Sequence, residues 1–411
     1  MRLSKTFVRT LREVPKDESA KNAQYLIRAG YIHKEMAGVY DYLPLGLKTL
    51  EKIKRIIREE LNKIGAEELQ LTTLQNPEPW KKTDRWDAKK MDVWFKTELA
   101  AGGELGLAPT HEEPVTEMLK SYIRSYKDLP VLVYQFQTKF RNELRAKSGI
   151  MRTREFLMKD LYSFATSEAE HAKIYAQVEE AYARIYERLG LGADTYKAFA
   201  SGGVFAKYSH EYQTLLSVGE DTIYHNDDFS VVLNKEVFND EVLKDLRVAD
   251  EKFSEVNAAE VGNIFTLRYK YSEPLGLKYQ TAEGEQKTVF MGCYGIGVSR
   301  VLGVIAEKFA DEKGLVLPEA VAPYKYYVVA MGESGMKKAI DIYEKYKGKD
   351  EILLDDRDVR FGEKMKDSEL LGMPFRVVIT DRTLATGEVE ITERASGKTT
   401  RVSIDKFEAS L

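Results

Sequence analysis

Lys139-Phe140-Arg141-Asn142-Glu143, followed after a short basic loop by Met151-Arg152-Thr153-Arg154-Glu155-Phe156, decides how this chain is read. Residues 131–143 alternate. Tyr134, Phe136, Thr138 and Phe140 fall on one face, and Gln135, Gln137, Lys139, Arg141 and Glu143 on the other, which is the two-residue period of a strand. Arg152, Arg154, Phe156, Met158 and Asp160 share one face of a second strand. With Arg145, Lys147, Ser148 and Gly149 between them, the two predict an antiparallel hairpin with a basic tip. The polar face reads in two ways: a solvated ladder of cross-strand ion pairs with Phe156 in the core, or the lining of a cavity. In the second reading Arg141 and Arg152, one on each strand, flank the same phosphates, because an arginine fork donates two parallel hydrogen bonds and stays charged. Phe156 then offers a ring face to a purine, and Glu143 accepts from an exocyclic amine.

A second stretch lies far downstream: Gly292-Cys293-Tyr294-Gly295-Ile296-Gly297-Val298-Ser299-Arg300. Gly-x-Gly stands at 295 and 297, but Arg300 occupies the third glycine position, which argues against a dinucleotide-binding fold. No Gly-x-x-x-x-Gly-Lys-Ser/Thr phosphate loop occurs. Residues 288–291 predict a strand. Val298, Val301, Leu302, Ile305 and Phe309 follow helical spacing, so Arg300 falls in a first helical turn, as an anion ligand or as a surface arginine. Taken alone, Thr110-His111-Glu112-Glu113 reads as a helix cap followed by first-turn acids.

Phe-Arg-x-Glu, a loop, Arg-x-x-x-Phe and a distant Gly-x-Gly-x-x-Arg resemble motifs 2 and 3 of class II aminoacyl-tRNA synthetases. The phrases Leu107-Ala108-Pro109-Thr110-His111-Glu112-Glu113, Arg154-Glu155-Phe156-Leu157-Met158-Lys159-Asp160, Ser209-His210-Glu211-Tyr212 and Met291-Gly292-Cys293-Tyr294-Gly295 are similar to those of bacterial prolyl-tRNA synthetases, in the family's order and across most of the chain. The resemblance implies an α+β fold: a class II catalytic domain, an antiparallel sheet flanked by helices, followed by a small α/β anticodon-binding domain. It implies that Arg141 holds the α-phosphate and the proline carboxylate, that Glu143 contacts adenine and Phe156 stacks on it, and that Arg152 and Arg300 clamp the γ-phosphate of a bent ATP. Thr110 and Glu112 form the family's Thr-x-Glu element, which grips the proline nitrogen; a secondary ammonium has two N–H donors and needs two acceptors. His210 is expected to line the proline pocket and Arg145 to meet the acceptor end of tRNA(Pro). Mg2+ is expected with ATP, with no protein ligands assignable.

The chain departs from the family's pattern in three places. Thr72 stands where motif 1 has a proline, in a predicted strand 67–74 after an amphipathic helix 47–64 that serves the family's homodimer. Asn263 and Thr266 replace the polar residues of a Gly-His-Ile-Phe-Gln phrase near ATP. Only a short acidic stretch, 218–258, separates the two halves of the catalytic domain (1–217 and 259–318). It reads as a linker in place of an inserted editing domain. Since a methylene is worth only about 1–3 kcal/mol of discrimination, a chain without that domain is expected to release or charge some wrong product unless a separate trans-editing protein clears it.

The 411 residues, 43% hydrophobic and 31% charged, suit a globular protein of two or three domains. Pro318 and Pro323 mark a boundary, after which alternating strands and helices over 323–411 predict the small α/β domain. No apolar run reaches membrane-spanning length, and a single cysteine fits the cytoplasm. A net charge of −4 counts weakly against nucleic-acid binding, since local basic patches decide that question. Two rival readings stand beside proline ligation: a class II synthetase for another amino acid, and a non-catalytic synthetase-like binding protein.

Overall fold

The alternating segment does form a hairpin, and it lies within the larger of two main sheets. Val131–Phe140 pairs antiparallel with Glu155–Ala165, from Val131 opposite Phe164 to Phe140 opposite Glu155. The computed structural model describes residues 1–202 and 208–411. In it the nine strands run in the order Tyr208–Leu215, Thr195–Ser201, Val232–Asn234, Asp221–His225, Ser254–Arg268, Phe290–Gly297, Glu155–Ala165, Val131–Phe140 and Glu67–Glu68. Tyr208–Leu215 also pairs back onto Ser254–Arg268, so that end of the sheet closes on itself.

One face of the sheet is covered by helices whose apolar stripes the sequence carries. Pro44–Lys63 starts with a proline, whose fixed φ suits a first helical turn, and buries Leu50, Ile53, Ile57 and Leu61. Glu168–Arg188 is capped by Ser167, whose hydroxyl accepts from the Glu170 amide, and buries Ile174, Val178, Tyr182 and Ile185. Val298–Phe309 packs beside them on the same core. At Gly46 the chain comes very close: a Cβ there would lie 2.1 Å from the Tyr31 carbonyl oxygen.

Two expectations are corrected. The predicted strand 67–74 is broken: Glu67–Glu68 joins the main sheet, and Leu74–Gln75 pairs with Glu104–Leu107 in a small separate sheet. Between them side-chain amides replace the ladder: Gln135 Oε1 accepts from the Leu71 amide, and Gln137 Nε2 donates to the Leu71 carbonyl. The stretch 218–258 is no simple linker. Asp221–His225, Val232–Asn234 and the first residues of Ser254–Arg268 are strands of the main sheet, and Asp240–Asp245 is a helix capped by Asn239. Leu233, Val237 and Val242 give this part its own small core. Its exposed face is acidic, which is why its composition resembled a linker.

The C-terminal lobe has the predicted alternation. Ile352–Asp355, Tyr326–Met331 and Phe375–Thr380 are parallel, and Glu388–Glu393 with Thr399–Ser403 extends the sheet antiparallel. The chain's first residues lie along its edge, where the Met1 amino group donates to the Ile352 carbonyl. Among the described residues no helix is long and apolar enough to cross a membrane.

Candidate active site

The polar strand face is buried rather than solvated, and beyond its end Arg141 and Glu143 line a pocket. Gln135, Lys139 and Asp160 are almost wholly buried on the sheet face opposite the three helices. Lys139 Nζ pairs with Asp160 at 2.8 Å, and Asp160 also accepts from Gln135 Nε2 and the Tyr162 hydroxyl. Lys139 further contacts His111 Nδ1, while His111 Nε2 reaches the Thr72 carbonyl at 3.0 Å. Burial, then the Lys139 ammonium, hold the His111 imidazole down at about 4, so it is neutral at physiological pH.

Arg141, Glu143, Arg152, Phe156, Glu260, Asn263, Gly295, Gly297 and Arg300 line one pocket at the hairpin's open end. Both strands stop short of the two hairpin arginines. Arg141 follows the end of Val131–Phe140, and Arg152 precedes Glu155–Ala165. The bend lets both turn into the pocket. The Arg141 guanidinium lies 5.2 Å from the Phe156 ring centroid, and its Nε reaches only the Pro109 carbonyl, at 3.4 Å. Among the described residues it forms no ion pair. Burial, then Arg300, push its pKa down, which is the environment of a cation that an anion would stabilise.

The other charges are partnered. Arg152 pairs with Glu143 at 2.9 Å and lies 3.6 Å from Glu220. Arg300, in the first turn of its helix as predicted, donates to the carbonyls of Met151 and Glu260 at 2.8 Å and lies 3.3 Å from the Glu260 carboxylate. Asn263, one of the departures, donates to the same carboxylate at 2.9 Å. The glycines leave this space open: a Cβ on Gly295 would meet Asn263 Oδ1 at 2.9 Å, and one on Gly297 would meet Arg300 Cβ at 3.1 Å.

Thr110 and Glu112 come together beside Arg141, joined to it through Pro109. Thr110 Oγ1 donates to the Glu112 carboxylate at 2.7–2.8 Å. It is not a helix cap. His111 holds the cap position of Glu112–Leu119, with no side-chain cap bond. Glu112 also accepts from Cys293 at 3.4 Å and faces Arg85 at 3.3 Å. Cys293 therefore borders the Thr-x-Glu carboxylate, and burial, then that carboxylate, hold its thiol protonated.

His210 does not join them. It pairs with Ile264, which pairs with Tyr294, so the alternation turns its ring to the helix-covered face. There it meets the Tyr175 hydroxyl at 2.7 Å and Phe199. The next residue, Glu211, takes the site face, opposite Asn263. Burial, then Glu260, raise the Glu211 carboxyl to about 7. Glu211, Glu260, Glu220 and Arg85 are the site residues that sequence reasoning missed. Glu211 stood inside a quoted phrase, and only the register separates it from His210. Arg145 is exposed in the hairpin loop. Among the described residues the one three-ligand metal grouping is His33, Glu35 and Asp41, which is exposed and lines no part of this pocket.

The tRNA synthetase class II core domain (G, H, P, S and T) family matches residues 95–309, and the anticodon binding domain family matches residues 325–411. The proline–tRNA ligase of Anaplasma phagocytophilum (strain HZ) is 36% identical over 423 residues, and that of Agrobacterium fabrum (strain C58 / ATCC 33970) is 35% identical over 434, each alignment covering 98% of both chains. The chain belongs to the proline–tRNA ligase family. Its relatives align end to end with it, so these ligases share the absence of a large insertion between the two halves of the catalytic domain. Among solved structures, the chain is similar to the prolyl-tRNA synthetase of Cryptosporidium parvum complexed with L-proline and AMP. The TM-score is 0.75 at 18% identity, covering 95% of this chain and 73% of that one. The Giardia lamblia prolyl-tRNA synthetase in complex with prolyl-adenylate gives 0.76 at 21%, covering 93% and 74%. At those identities the likeness shows the fold: a class II synthetase core followed by an anticodon-binding domain.

Proposed function

We propose that this chain joins L-proline to tRNA(Pro) in two steps, with ATP as the second substrate. The proline carboxylate attacks the α-phosphorus of ATP in line and displaces pyrophosphate. A terminal tRNA hydroxyl then attacks the carbonyl of the resulting prolyl-adenylate. The single observation that carries this reading is the half-buried Arg141 guanidinium, set between Phe156 and the Thr110–Glu112 pair without a carboxylate of its own. A transfer between two anions needs alignment and charge neutralisation, not a covalent nucleophile.

In this assignment Arg141 holds the α-phosphate and the proline carboxylate, and Phe156 stacks on adenine. Thr110 and Glu112 take the proline ammonium. Arg152 and Arg300 leave Glu143 and Glu260 to hold the triphosphate tail, which frees Glu143 for the adenine amine. The family's Mg2+ fits Glu211 and Glu260, because Mg2+ is held by one or two carboxylates together with substrate phosphates. The raised Glu211 carboxyl is the supporting sign, since a cation would relieve the repulsion between the two. When bound, the ion would neutralise phosphate charge. Arg145 would meet the acceptor end of tRNA, and 323–411 would read the anticodon. A homodimer built on the helix Pro44–Lys63, a cytoplasmic location and clearance of misacylated tRNA by a separate protein complete the proposal. Residues 218–258, folded into the sheet, stand where an editing domain would be inserted.

ATP–pyrophosphate exchange across a panel of amino acids tests the substrate. Proline is expected to support exchange, with alanine and cysteine far behind; exchange with a different amino acid, or none, would overturn the assignment. Deacylation of Ala-tRNA(Pro) by the purified protein should stay near the uncatalysed rate, and rapid hydrolysis would sink the editing-free reading.

A further inference from the structure

Two carboxylates stand side by side in the first turn of Glu112–Leu119, both buried, and one arginine serves both. Arg85 Nη1 lies 3.0 Å from Glu113 Oε1 and 3.3 Å from Glu112 Oε2, and it donates to the Tyr271 hydroxyl at 2.8 Å. Its plane is fixed between the rings of Trp80 and Tyr271, each 5.2 Å from the guanidinium carbon. Trp80 is itself packed against Trp94, whose indole donates to the Arg85 carbonyl. Glu113 turns away from Thr110, towards the Thr83 hydroxyl at 2.8 Å. Arg85 thus reaches the carboxylate that faces the amino acid, and it is not among the residues that line the pocket of Arg141, Arg152 and Arg300.

We propose that Arg85 is a specificity-determining positioning residue. From its aromatic slot it holds Glu112 ionised and aimed at the substrate ammonium, and leaves Glu113 as the member of the pair that takes a proton first. The inference rests on the Thr110–Glu112 grip proposed above. One cation between two buried carboxylates can stabilise one negative charge well but not two. Thr110 and Cys293 also donate to Glu112, which favours that carboxylate as the ionised one. The shifts agree. Burial pushes Glu112 up, but Arg85, then Thr110, outweigh it and leave it below the usual range; for Glu113 burial prevails over Arg85 and raises the carboxyl to about 7. The remaining charged or titratable neighbours do not change the assignment. Lys270 and Tyr271 lie on Arg85's side, and His111, Lys139, Asp160 and Tyr162 satisfy one another below. A site with one fixed carboxylate and one threonine oxygen presents two acceptors, which a secondary ammonium fills completely. A primary ammonium would keep one N–H unpaired.

The test is proline KM and ATP KM in pyrophosphate exchange between pH 6 and 8.5. Wild type should show a nearly flat proline KM. Arg85→Gln should raise it at least tenfold at pH 6.5, with the defect shrinking as pH rises and Glu112 ionises unaided, while ATP KM stays within about threefold. Arg85→Lys should recover part of the loss. Glu113→Gln should leave proline KM within threefold, since Arg85 then serves Glu112 alone; a tenfold rise there would overturn the proposal even if Arg85→Gln did not fold. A pH-independent defect in Arg85→Gln, or none, would also overturn it. Glu112→Gln separates the two levels. If it keeps normal proline KM, the grip itself is wrong; if it loses proline while Arg85→Gln does not, only the role of Arg85 fails.

Discussion

Arg141 and Arg152 look alike in the sequence and stand in different environments. Both are half-buried, but Arg141 forms no ion pair among the described residues, whereas Arg152 is already paired with Glu143. Charged hydrogen bonds of this kind are worth about 1.5–3 kcal/mol. Arg152→Ala is therefore expected to raise ATP KM by about 10- to 100-fold with little change in proline KM, read by exchange kinetics; an equal loss for both substrates would contradict its place at the triphosphate tail. Residue types at this scale were legible: Arg141, Arg152, Phe156 and Arg300 do converge on one pocket. Direction was harder to read. His210 and Glu211 are neighbours on one strand, and a step of one residue reverses the face, so the register with Ile264 and Asn263 decided which of them meets the site. Nothing local in the sequence marks Arg85, whose carboxylate partners lie nearly thirty residues away and whose Tyr271 partner is far downstream.

Among the elements, those with a strong period were the ones the sequence predicted well. The hairpin, the helix Glu168–Arg188 and the alternating C-terminal lobe all show it. The stretch 218–258 escaped because its strands are short and its exposed residues acidic; its order comes from long-range pairing, above all of Asp221–His225 with Ser254–Arg268, and from a small core of its own. The helix Pro44–Lys63 offers a test of packing. Gly46 meets the Tyr31 carbonyl, and Tyr31 in turn anchors to the Leu371 carbonyl, so a methyl there must displace backbone. Overpacking of this kind costs about 1–3 kcal/mol. Gly46→Ala is expected to lower the thermal midpoint by several degrees in calorimetry; an unchanged midpoint would mean that the helix shifts freely.

Over the whole molecule, the two lobes share one apolar cluster, which runs from Leu45 and Ile57 through Val304 to Leu315, Leu353 and Leu371. Buried charge is placed within that frame, and pH should reveal it. The folded Glu113 carboxyl titrates near 7 against an ordinary value of 4.5. Between those values the folded chain keeps a proton that the unfolded chain has lost, so this group costs stability progressively as pH rises from about 4.5 to 7. Glu113→Gln removes the cost. Urea unfolding should find the variant's advantage absent at pH 4.5 and about 1–3 kcal/mol at pH 8; an advantage that shrinks with rising pH would contradict the charge arrangement around Arg85. The most direct test of the whole account is proline-dependent ATP–pyrophosphate exchange by Arg141→Ala, with circular dichroism as the check on folding. Loss of the central cation should reduce exchange by a factor on the order of a thousand in a protein that keeps its fold, whereas near-wild-type exchange would contradict Arg141 as the group on which the two anionic substrates meet.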